Sequence, residues 1–271
     1  HGEGGAQVLG THIEGPYFSP EKRGAHHAHL LRHPKREEWT PWLEFADDIT
    51  QMTLAIELPG ALELIDALAS RGIRVSGGHS DAWDEDAAAA FAHGMRQATH
   101  TFNCMSTARR RGPYRVAGLL EFVMSEPEIL CELIADGHHV SPTLMRMLYR
   151  AKGADGIALI TDALGGAGLA EGERYDALGL ECIVRGGVGL LADGSVLAGS
   201  STTMIRCVEN MVKLAGVPLH EAVQMATLNP ARALRLSGQK GMIAMGLDAD
   251  LVAFDDEFQV SHTFVAGLRL V

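Results

Sequence analysis

The sequence predicts an α/β fold: a (β/α)8 TIM-type barrel that lacks its first strands and carries a small satellite β domain at its C-terminus. Two features of the chain predict the barrel. Short apolar, β-prone segments alternate with helices of ~10–13 residues, as in a parallel sheet. Several of these segments end at glycine or at a polar residue. Short strands follow from residue 241, so we assign residues 1–240 to the barrel and residues 241–271 to the C-terminal part of the satellite domain.

The first half of the chain shows the clearest alternation. Residues 8–13 form the first predicted strand, which Gly15-Pro16 ends, and a polar loop follows over residues 17–34. The helix predicted over residues 59–71 begins at a proline, has an apolar face and is followed by a glycine. The other predicted elements are a short helix at 39–45, strands at 52–55, 73–76, 97–99 and 130–134, and a helix at 83–93.

The second half adds one more unit and then changes character. Ser141-Pro142 begins a helix predicted to reach residue 152, and a strand is predicted over residues 156–161. In total we predict about seven βα units, the number that suits an incomplete eight-stranded barrel. A glycine-rich stretch at 164–172 precedes β-prone pieces at 178–191, helices at 204–215, at 218–225 and from 229, and strands at 251–254 and 262–265.

Composition excludes several classes of partner. Acidic residues outnumber basic ones by 34 to 23, and the net charge of −11 gives the chain no electrostatic reason to bind nucleic acid or an anionic membrane. No apolar run approaches the ~18–20 residues that span a bilayer. The four cysteines are scattered, which is typical of buried thiols in a reducing compartment, so we expect a cytoplasmic protein. The sequence starts at His1 and a strand follows almost at once, so we expect an N-terminally incomplete chain.

Four chemically active residues stand where predicted strands end. Glu14 ends the first strand, His79 and His100 follow two later strands, and Asp162 follows a fourth. If the strands are parallel, their carboxyl ends share one edge of the sheet, so these side chains should lie together. A carboxylate and two imidazoles suit zinc or ferrous iron and leave a position open for water.

A bound divalent cation would lower the pKa of water from 15.7 to ~7. Asp162 would then take the proton of that water and pass it to a leaving group. Taken singly, each residue has a simpler interpretation, because a histidine in a loop is often only hydrogen-bonded and an aspartate after threonine is often a cap. Together, the four residues favour a metal-dependent hydrolase.

Other polar residues leave two interpretations open. His26 or His27, together with His139, could polarise a carbonyl or hold hydroxyl groups, or they could belong to solvated loops. The run Arg109-Arg-Arg-Gly-Pro113 could clamp a phosphate through planar guanidinium groups, or form an exposed basic turn. Asp136-Gly137 is first of all a turn signal.

Six motifs, in chain order, resemble the N-acetylglucosamine-6-phosphate deacetylases of the amidohydrolase superfamily. The resemblance runs from about residue 8 to the C-terminus, and the segment from Gly241 to Val252 is similar to the closing β segment of the superfamily. The motifs are Gly10-Thr-His-Ile-Glu-Gly-Pro16, Gly78-His-Ser-Asp81, Thr99-His-Thr-Phe-Asn-Cys-Met105, Ala135-Asp-Gly-His-His139, Thr161-Asp-Ala163 and Leu197-Ala-Gly-Ser-Ser-Thr-Thr-Met204.

The resemblance implies a role for each matching residue. Glu14, His79 and His100 match the metal ligands, and Asp162 matches the catalytic acid and base. The positions that match the substrate-binding segments are His26 with the backbone of Ala25, Asn103 and the Cys104 amide, Arg111 at the phosphate, Asp136 and His139 in the turn, and Leu197, Ala198 and Gly199 in the lining loop. Cys104 stands where alanine is frequent, and the register within the arginine run is uncertain by a residue or two.

The implied reaction is hydrolysis of the acetamide of N-acetyl-D-glucosamine 6-phosphate to D-glucosamine 6-phosphate and acetate, as in amino-sugar catabolism. The implied cofactor is one divalent metal, Zn²⁺ or Fe²⁺, with a second possible where a preceding H-x-H strand is supplied. The implied assembly is a homodimer. Two alternatives stay open: another reaction of the superfamily, such as deamination or cyclic-amide hydrolysis, or a metal-free inactive chain.

Overall fold

The protein was analysed as a computed structural model that describes residues 6–177 and 179–270. The helices, in chain order, are α1 (Arg36–Trp39), α2 (Ala61–Ala69), α3 (Asp84–His93), α4 (Leu119–Ser125), α5 (Pro142–Lys152), α6 (Met204–Lys213), α7 (Leu219–Ala226) and α8 (Leu228–Ala233), with 3-10 turns at Pro20–Lys22, Ala28–Leu30 and Thr40–Asp48. The strands are β1 (Thr11–Glu14), β2 (Ile49–Leu54), β3 (Arg74–Gly77), β4 (Met95–Ala98), β5 (Arg109–Arg111), β6 (Tyr114–Val116), β7 (Leu130–Ile134), β8 (Ile157–Ile160), β9 (Arg174–Ala177), β10 (Leu180–Arg185), β11 (Val188–Leu191), β12 (Leu197–Ser200), β13 (Leu251–Phe254), β14 (Val260–Val265) and β15 (Leu268–Arg269).

Six strands form one parallel sheet in the order β1-β2-β3-β4-β7-β8. Glu14 pairs with Thr53 across β1 and β2, and Thr53 pairs with Ser76 across β2 and β3, so neighbouring strands end at nearly the same level. This arrangement is the incomplete parallel barrel that the βα alternation predicts. The carboxyl ends of these six strands therefore face one edge of the sheet.

The core lies between the sheet and its helices. The predicted apolar face of α2 is buried at Leu64, Ile65 and Leu68. Met52 and Leu133 from the sheet are also inaccessible to solvent. Removing this apolar surface from water stabilises the sheet and its helices as a unit.

Three parts of the chain differ from the sequence-based prediction. The helix predicted at 39–45 is mostly the 3-10 segment Thr40–Asp48, which has Pro41 in its first turn and a kink at Phe45. The predicted count of about seven βα units was too high, because residues 174–200 form the separate antiparallel sheet β12-β11-β10-β9. The hairpin β5–β6 and helix α4 were not predicted, since the segment between 100 and 129 is short of apolar periodicity. The predicted β-prone piece begins at residue 178, which lies outside the described residues.

The C-terminal strands β13, β14 and β15 form a three-stranded antiparallel sheet, which confirms a small β unit after the barrel. Lys240 contacts Asp248 at 3.1 Å and Asp250 at 2.7 Å, and so ties the start of this unit to the last helical segment. The division between residues 240 and 241 stays a prediction. Within the described ranges, every helix is too short or too polar to cross a bilayer.

Candidate metal centre and catalytic site

The four residues predicted at strand ends lie at the carboxyl edge of the parallel sheet. Glu14 is the last residue of β1. His79, His100 and Asp162 each lie two residues beyond the ends of β3, β4 and β8, at Gly77, Ala98 and Ile160. The sequence therefore places one polar side chain just beyond each of four parallel strands, as barrel enzymes do at their catalytic face.

The backbone is strained at three of these positions. The φ angles of His79, His100 and Asp162 are +48°, +31° and +50°. Non-glycine residues rarely adopt this left-handed region, although asparagine, aspartate and histidine do so more often than others, and holding one there costs of order 1–3 kcal/mol. Strain held at neighbouring strand ends is typical of functional sites, where packing fixes side chains in a set direction.

Glu14, His79 and His100 bring one atom each into a small triangle. The Glu14 Oε1 atom lies 3.2 Å from His79 Nε2 and 3.1 Å from His100 Nε2. The two Nε2 atoms are 3.0 Å apart. Donor atoms spaced in this way match a single ion with metal–ligand distances of about 2.0–2.2 Å. Among the described residues, these three are the group that could hold a metal ion.

The protonation pattern of the histidines fits such an ion. The Nδ1 atom of His79 donates to the Lys22 carbonyl at 2.8 Å, which turns Nε2 toward Glu14 and His100, where a bound cation would take the place of the Nε2 proton. The Nδ1 atom of His100 is buried and has no partner among the described residues. One carboxylate oxygen and two imidazole nitrogens are a donor set that zinc and ferrous iron both accept.

The charges of the triangle are strongly coupled. Burial would raise the pKa of Glu14, but hydrogen bonds and charges from His100 and His79 hold it well below its usual range. Burial would lower the pKa of His100, yet the bonded Glu14 and the nearby Asp162 and Glu132 charges raise it to about 9. The site therefore stabilises a positive charge beside Glu14, which a bound cation would supply in place of an imidazole proton.

Asp162 is held beside this triangle by the strand β12. Its carbonyl accepts the Ser200 amide at 2.8 Å. A Cβ atom on Gly199 would lie 2.7 Å from that same carbonyl, so glycine is required where the two segments meet. Burial, and then the Glu14 charge, raise the pKa of the Asp162 carboxyl group, although the nearby histidines oppose this. A carboxylate of raised basicity suits proton transfer.

The structure brings His26 to the edge of the triangle. The His26 ring lies 5.0 Å from the His79 ring, centroid to centroid. Burial and the charge of His79 lower the pKa of His26 to about 4, so the imidazole is neutral near pH 7. Ala25, next to it, packs against a small apolar cluster with Ala198. The two predicted substrate-binding segments therefore meet beside His79.

Asn103 and Cys104 belong to a tight turn after His100. The Asn103 amide and its Nδ2 atom both donate to the His100 carbonyl, at 2.9 and 3.2 Å. Cys104 has a φ of +50°, and its amide has no hydrogen-bond partner among the described residues. That amide is therefore available to an anionic ligand, as the prediction for this segment requires.

The predicted residues Asp136 and His139 form one unit. Asp136 Oδ1 accepts the amides of His138 and His139, both at 2.9 Å. Asp136 Oδ2 accepts His139 Nδ1 at 2.6 Å, and both side chains are buried. Because both oxygens of Asp136 are engaged, this residue orients His139 and leaves the Nε2 atom of that ring for a ligand.

Arg111 lies on the hairpin β5–β6, at a position that contacts none of the triangle residues in the described part of the chain. Its guanidinium group donates to Glu85 Oε1 at 2.5 Å and lies 4.0 Å from the centre of the Trp83 ring. The side chain is 44 % exposed. Its predicted contact with phosphate stays a prediction.

Sequence reasoning assigned no role to two residues that support the site. Glu132, inside β7, accepts hydrogen bonds from Gln51 Nε2 at 3.0 Å and from the His100 amide at 3.4 Å. It therefore fixes the backbone of His100, one of the three candidate metal ligands. The sequence feature that could have pointed to Glu132 is a carboxylate within an otherwise apolar predicted strand. Asp81 ends the motif Gly78-His-Ser-Asp81, but its partners, Lys22 and Arg109, are far away in the chain, so no local pattern indicates the contact.

Comparison with known proteins identifies the family. The profile of the amidohydrolase family matches residues 3–270. The chain belongs to this family. Among curated relatives, this amidohydrolase is 37% identical over 272 residues to N-acetylglucosamine-6-phosphate deacetylase of Vibrio furnissii, covering 100% of this chain and 66% of that protein. It is also 38% identical over 264 residues to N-acetylgalactosamine-6-phosphate deacetylase of Escherichia coli O157:H7, covering 97% of this chain and 68% of that one.

Solved structures agree with the sequence comparison. The crystal structure of N-acetylglucosamine-6-phosphate deacetylase from Pasteurella multocida matches with a TM-score of 0.90 and 36% identity, over 97% of this amidohydrolase and 67% of that chain. A mutant of the Mycobacterium smegmatis enzyme, in complex with N-acetyl-D-glucosamine-6-phosphate, matches with a TM-score of 0.89 and 34% identity, over 97% and 68%. The chain thus spans about two thirds of the length of the proteins it matches.

Proposed function

We propose that this amidohydrolase is a metal-dependent deacetylase that hydrolyses the acetamide of N-acetyl-D-glucosamine 6-phosphate to D-glucosamine 6-phosphate and acetate. The observation that carries the proposal is the meeting of Glu14, His79 and His100 within 3.2 Å at the carboxyl edge of the sheet, with Asp162 at the end of β8. Identities of 37% and 39% to relatives named for this reaction support it.

The proposed chemistry divides between a cation and this chain. A divalent cation at the triangle, zinc or ferrous iron, would supply Lewis acidity and lower the pKa of a water molecule. Asp162 accepts a proton from the attacking water and delivers it to the amine nitrogen as the C–N bond breaks. One C–O bond forms and one C–N bond breaks, so the products are acetate and the free amine. One cation is sufficient for this scheme, and a second would need a further ligand set.

The substrate would be held by residues around that centre. Neutral His26 can donate to the acetamide or to a sugar hydroxyl, and His139, oriented by Asp136, offers a second imidazole. The phosphate would meet the Cys104 amide and Asn103, with Arg111 as its cationic partner. The lining loop Leu197–Ser200 supports Asp162 from the other side.

The direct test is a comparison of hydrolysis with and without metal. Purified protein should release acetate from the 6-phosphorylated substrate after loading with zinc or iron, and a chelator should abolish that activity. A preference for an unphosphorylated cyclic amide or an aminopurine would favour the other amidohydrolase reactions. If the purified protein holds less than about one-tenth equivalent of metal, and adding metal does not increase hydrolysis, the result would favour an inactive chain.

The C4 epimer is a second candidate substrate. Identity to the N-acetylgalactosamine-6-phosphate deacetylase is 38%, which does not separate it from the 37% found for a glucosamine enzyme. The two sugars differ only in the direction of one hydroxyl group. Measuring kcat/KM on both 6-phosphates decides between them, and a ratio above about 10 corresponds to about 1.4 kcal/mol of discrimination.

Arg111→Ala should weaken binding of the phosphorylated substrate selectively. Loss of a charge-assisted hydrogen bond to phosphate is expected to raise KM by about 10-fold, with little change in hydrolysis of N-acetyl-D-glucosamine itself. Glu85→Gln frees Arg111 from its partner and serves as the matched variant, with KM for the phosphorylated sugar unchanged or lower. Equal losses on both sugars would make Arg111 a structural residue.

The acid side of the pH profile should reflect Asp162. Its carboxyl pKa is raised above the ordinary value of 3.8, and the carboxylate is the form that accepts a proton. Activity is therefore present above that raised pKa and falls as the pH drops through it, at a higher pH than for a solvated aspartate. The check is kcat/KM from pH 4 to 8, with bound metal measured at each point. A loss of activity that follows metal release alone would contradict this assignment.

Location and assembly complete the proposal. The scattered free cysteines support a cytoplasmic protein. A homodimer is supported by the protruding hairpin β5–β6, on which Tyr114 is 73 % exposed. Light scattering of the purified protein would establish the number of subunits.

A further inference from the structure

The orientation of His79 depends on a carbonyl group in a loop. His79 Nδ1 donates to the Lys22 carbonyl at 2.8 Å. Lys22 ends the short 3-10 turn Pro20–Lys22, which has no strand partner to fix its position. Besides that bond, the Ser19 amide donates to the His79 carbonyl at 2.9 Å, and among the described residues the Lys22 side chain supplies a further contact.

Asp81 binds the Lys22 side chain and so restrains this turn. Its Oδ1 atom lies 3.5 Å from the Lys22 ammonium group. The same oxygen accepts Arg109 Nη1 at 2.6 Å, and the Asp81 carbonyl accepts Arg109 Nη2 at 2.7 Å. The Arg109 guanidinium also lies 4.1 Å from the centre of the Trp83 ring. The three charged side chains are only 28–32 % exposed, so solvent weakens these contacts less than it weakens fully exposed pairs.

A partly buried carboxylate, Glu57, fixes the other side of the same segment. Glu57 accepts the Asp81 amide at 2.7 Å and the Ser80 hydroxyl at 2.6 Å. Burial, with a smaller contribution from the Asp81 charge, raises the pKa of Glu57. Two neighbouring carboxyl groups need compensating cations, which Lys22 and Arg109 provide. Ser80 and Asp81 are therefore held by Glu57 on one side, and Asp81 is bound by Lys22 and Arg109 on the other.

We propose that Asp81 is a positioning residue of the metal centre. By binding both Lys22 and Arg109, it fixes the Lys22 carbonyl, which keeps the proton of His79 on Nδ1 and leaves Nε2 to face Glu14 and His100. Groups that orient a metal-binding histidine typically contribute 10–100-fold to metal affinity. The inference rests on the metal centre of the proposed function and adds a residue that does not touch metal or substrate.

The test is the dissociation constant for zinc, measured by competition with a chelator. Asp81→Ala should weaken zinc binding by about 10–100-fold, and Asp81→Asn, which keeps a neutral acceptor for Arg109, should weaken it less. Glu85→Gln is the matched control, because it removes the carboxylate that binds Arg111 on the same hairpin without touching Lys22. This control should bind zinc as tightly as the wild-type protein.

A second measurement separates positioning from general stability. Nitrogen-15 NMR of the zinc-loaded protein should show the His79 Nδ1–H signal protected from solvent exchange in the wild type, and weaker protection of that signal in Asp81→Ala. If that variant does not fold, Arg109→Gln, which keeps the carboxylate, should show a smaller change in the same direction. Unchanged zinc affinity and an unchanged His79 signal would overturn the inference, as would an equal loss in Glu85→Gln. A wild-type protein that binds no zinc or iron would overturn the proposed function itself, which is a different result.

Discussion

Asp162→Asn is expected to keep its metal and to lose turnover by at least ~10²-fold, the lower end of what general acid–base catalysis contributes. Asparagine has nearly the same shape, so the Ser200 amide can still bind the carbonyl of residue 162, and the turn with its φ of +50° is retained. The substitution removes only the group that takes a proton from water and returns it to the amine. Single-turnover acetate release and metal content, measured on the same sample, test this prediction.

Asp155→Asn provides the matched control for that substitution. Asp155 precedes β8, whereas Asp162 follows it, so the two aspartates lie at opposite ends of one strand. The Asp155 side chain is 81 % exposed and pairs with Arg232 at 3.0 Å. Asp155→Asn should therefore leave turnover unchanged. Wild-type turnover in Asp162→Asn, with metal bound, would remove Asp162 from the proton transfer.

The strand ends could be predicted because local sequence determines them. Each strand of the parallel sheet is a short β-prone segment that a glycine or a polar residue ends, and the carboxyl ends of parallel strands share one edge. The parallel order of the strands therefore predicts that Glu14, His79, His100 and Asp162 share one edge. Parallel order alone is enough for this prediction, because it brings the carboxyl ends of neighbouring strands to the same edge.

Other features of the site could not be predicted, because contacts between distant segments create them. A positive φ at a histidine follows from packing around it, and no local pattern indicates it. The bond between His79 and the Lys22 carbonyl joins residues 57 positions apart. The hairpin β5–β6 has a polar, arginine-rich sequence that local propensity does not mark as a strand. Such elements are specified by their partners, here Asp81, Glu85 and Trp83.

Asp136 illustrates how structure refines a prediction from sequence. The motif with His139 indicated a turn and a contribution to substrate binding. The structure adds that both carboxylate oxygens of Asp136 already have partners within the turn. Three of the roughly four acceptor sites of this buried carboxylate are occupied, which leaves little capacity for a sugar hydroxyl, so His139 is the better candidate for that contact.

His100→Ala is expected to abolish metal binding and, with it, hydrolysis. His100 contributes one of the three donor atoms and is 4 % exposed, so the substitution removes a third of the donor set and leaves a buried gap beside the other two ligands. Metal content should fall below about one-tenth equivalent, and turnover by more than ~10³-fold, since several kcal/mol of charge stabilisation are lost with the cation. Metal analysis by mass spectrometry and acetate release measure the two effects.

His93→Ala controls for the loss of an imidazole as such. His93 ends α3, its side chain is 39 % exposed, and it pairs with Asp66 at 2.9 Å, away from the carboxyl edge of the sheet. It should keep full metal content and full activity. If His100→Ala also kept a full equivalent of metal, the ion would lie elsewhere. Glu14 and His79 would then have to be explained as a buried hydrogen-bonded pair, because two donors alone do not make a structural or catalytic zinc site.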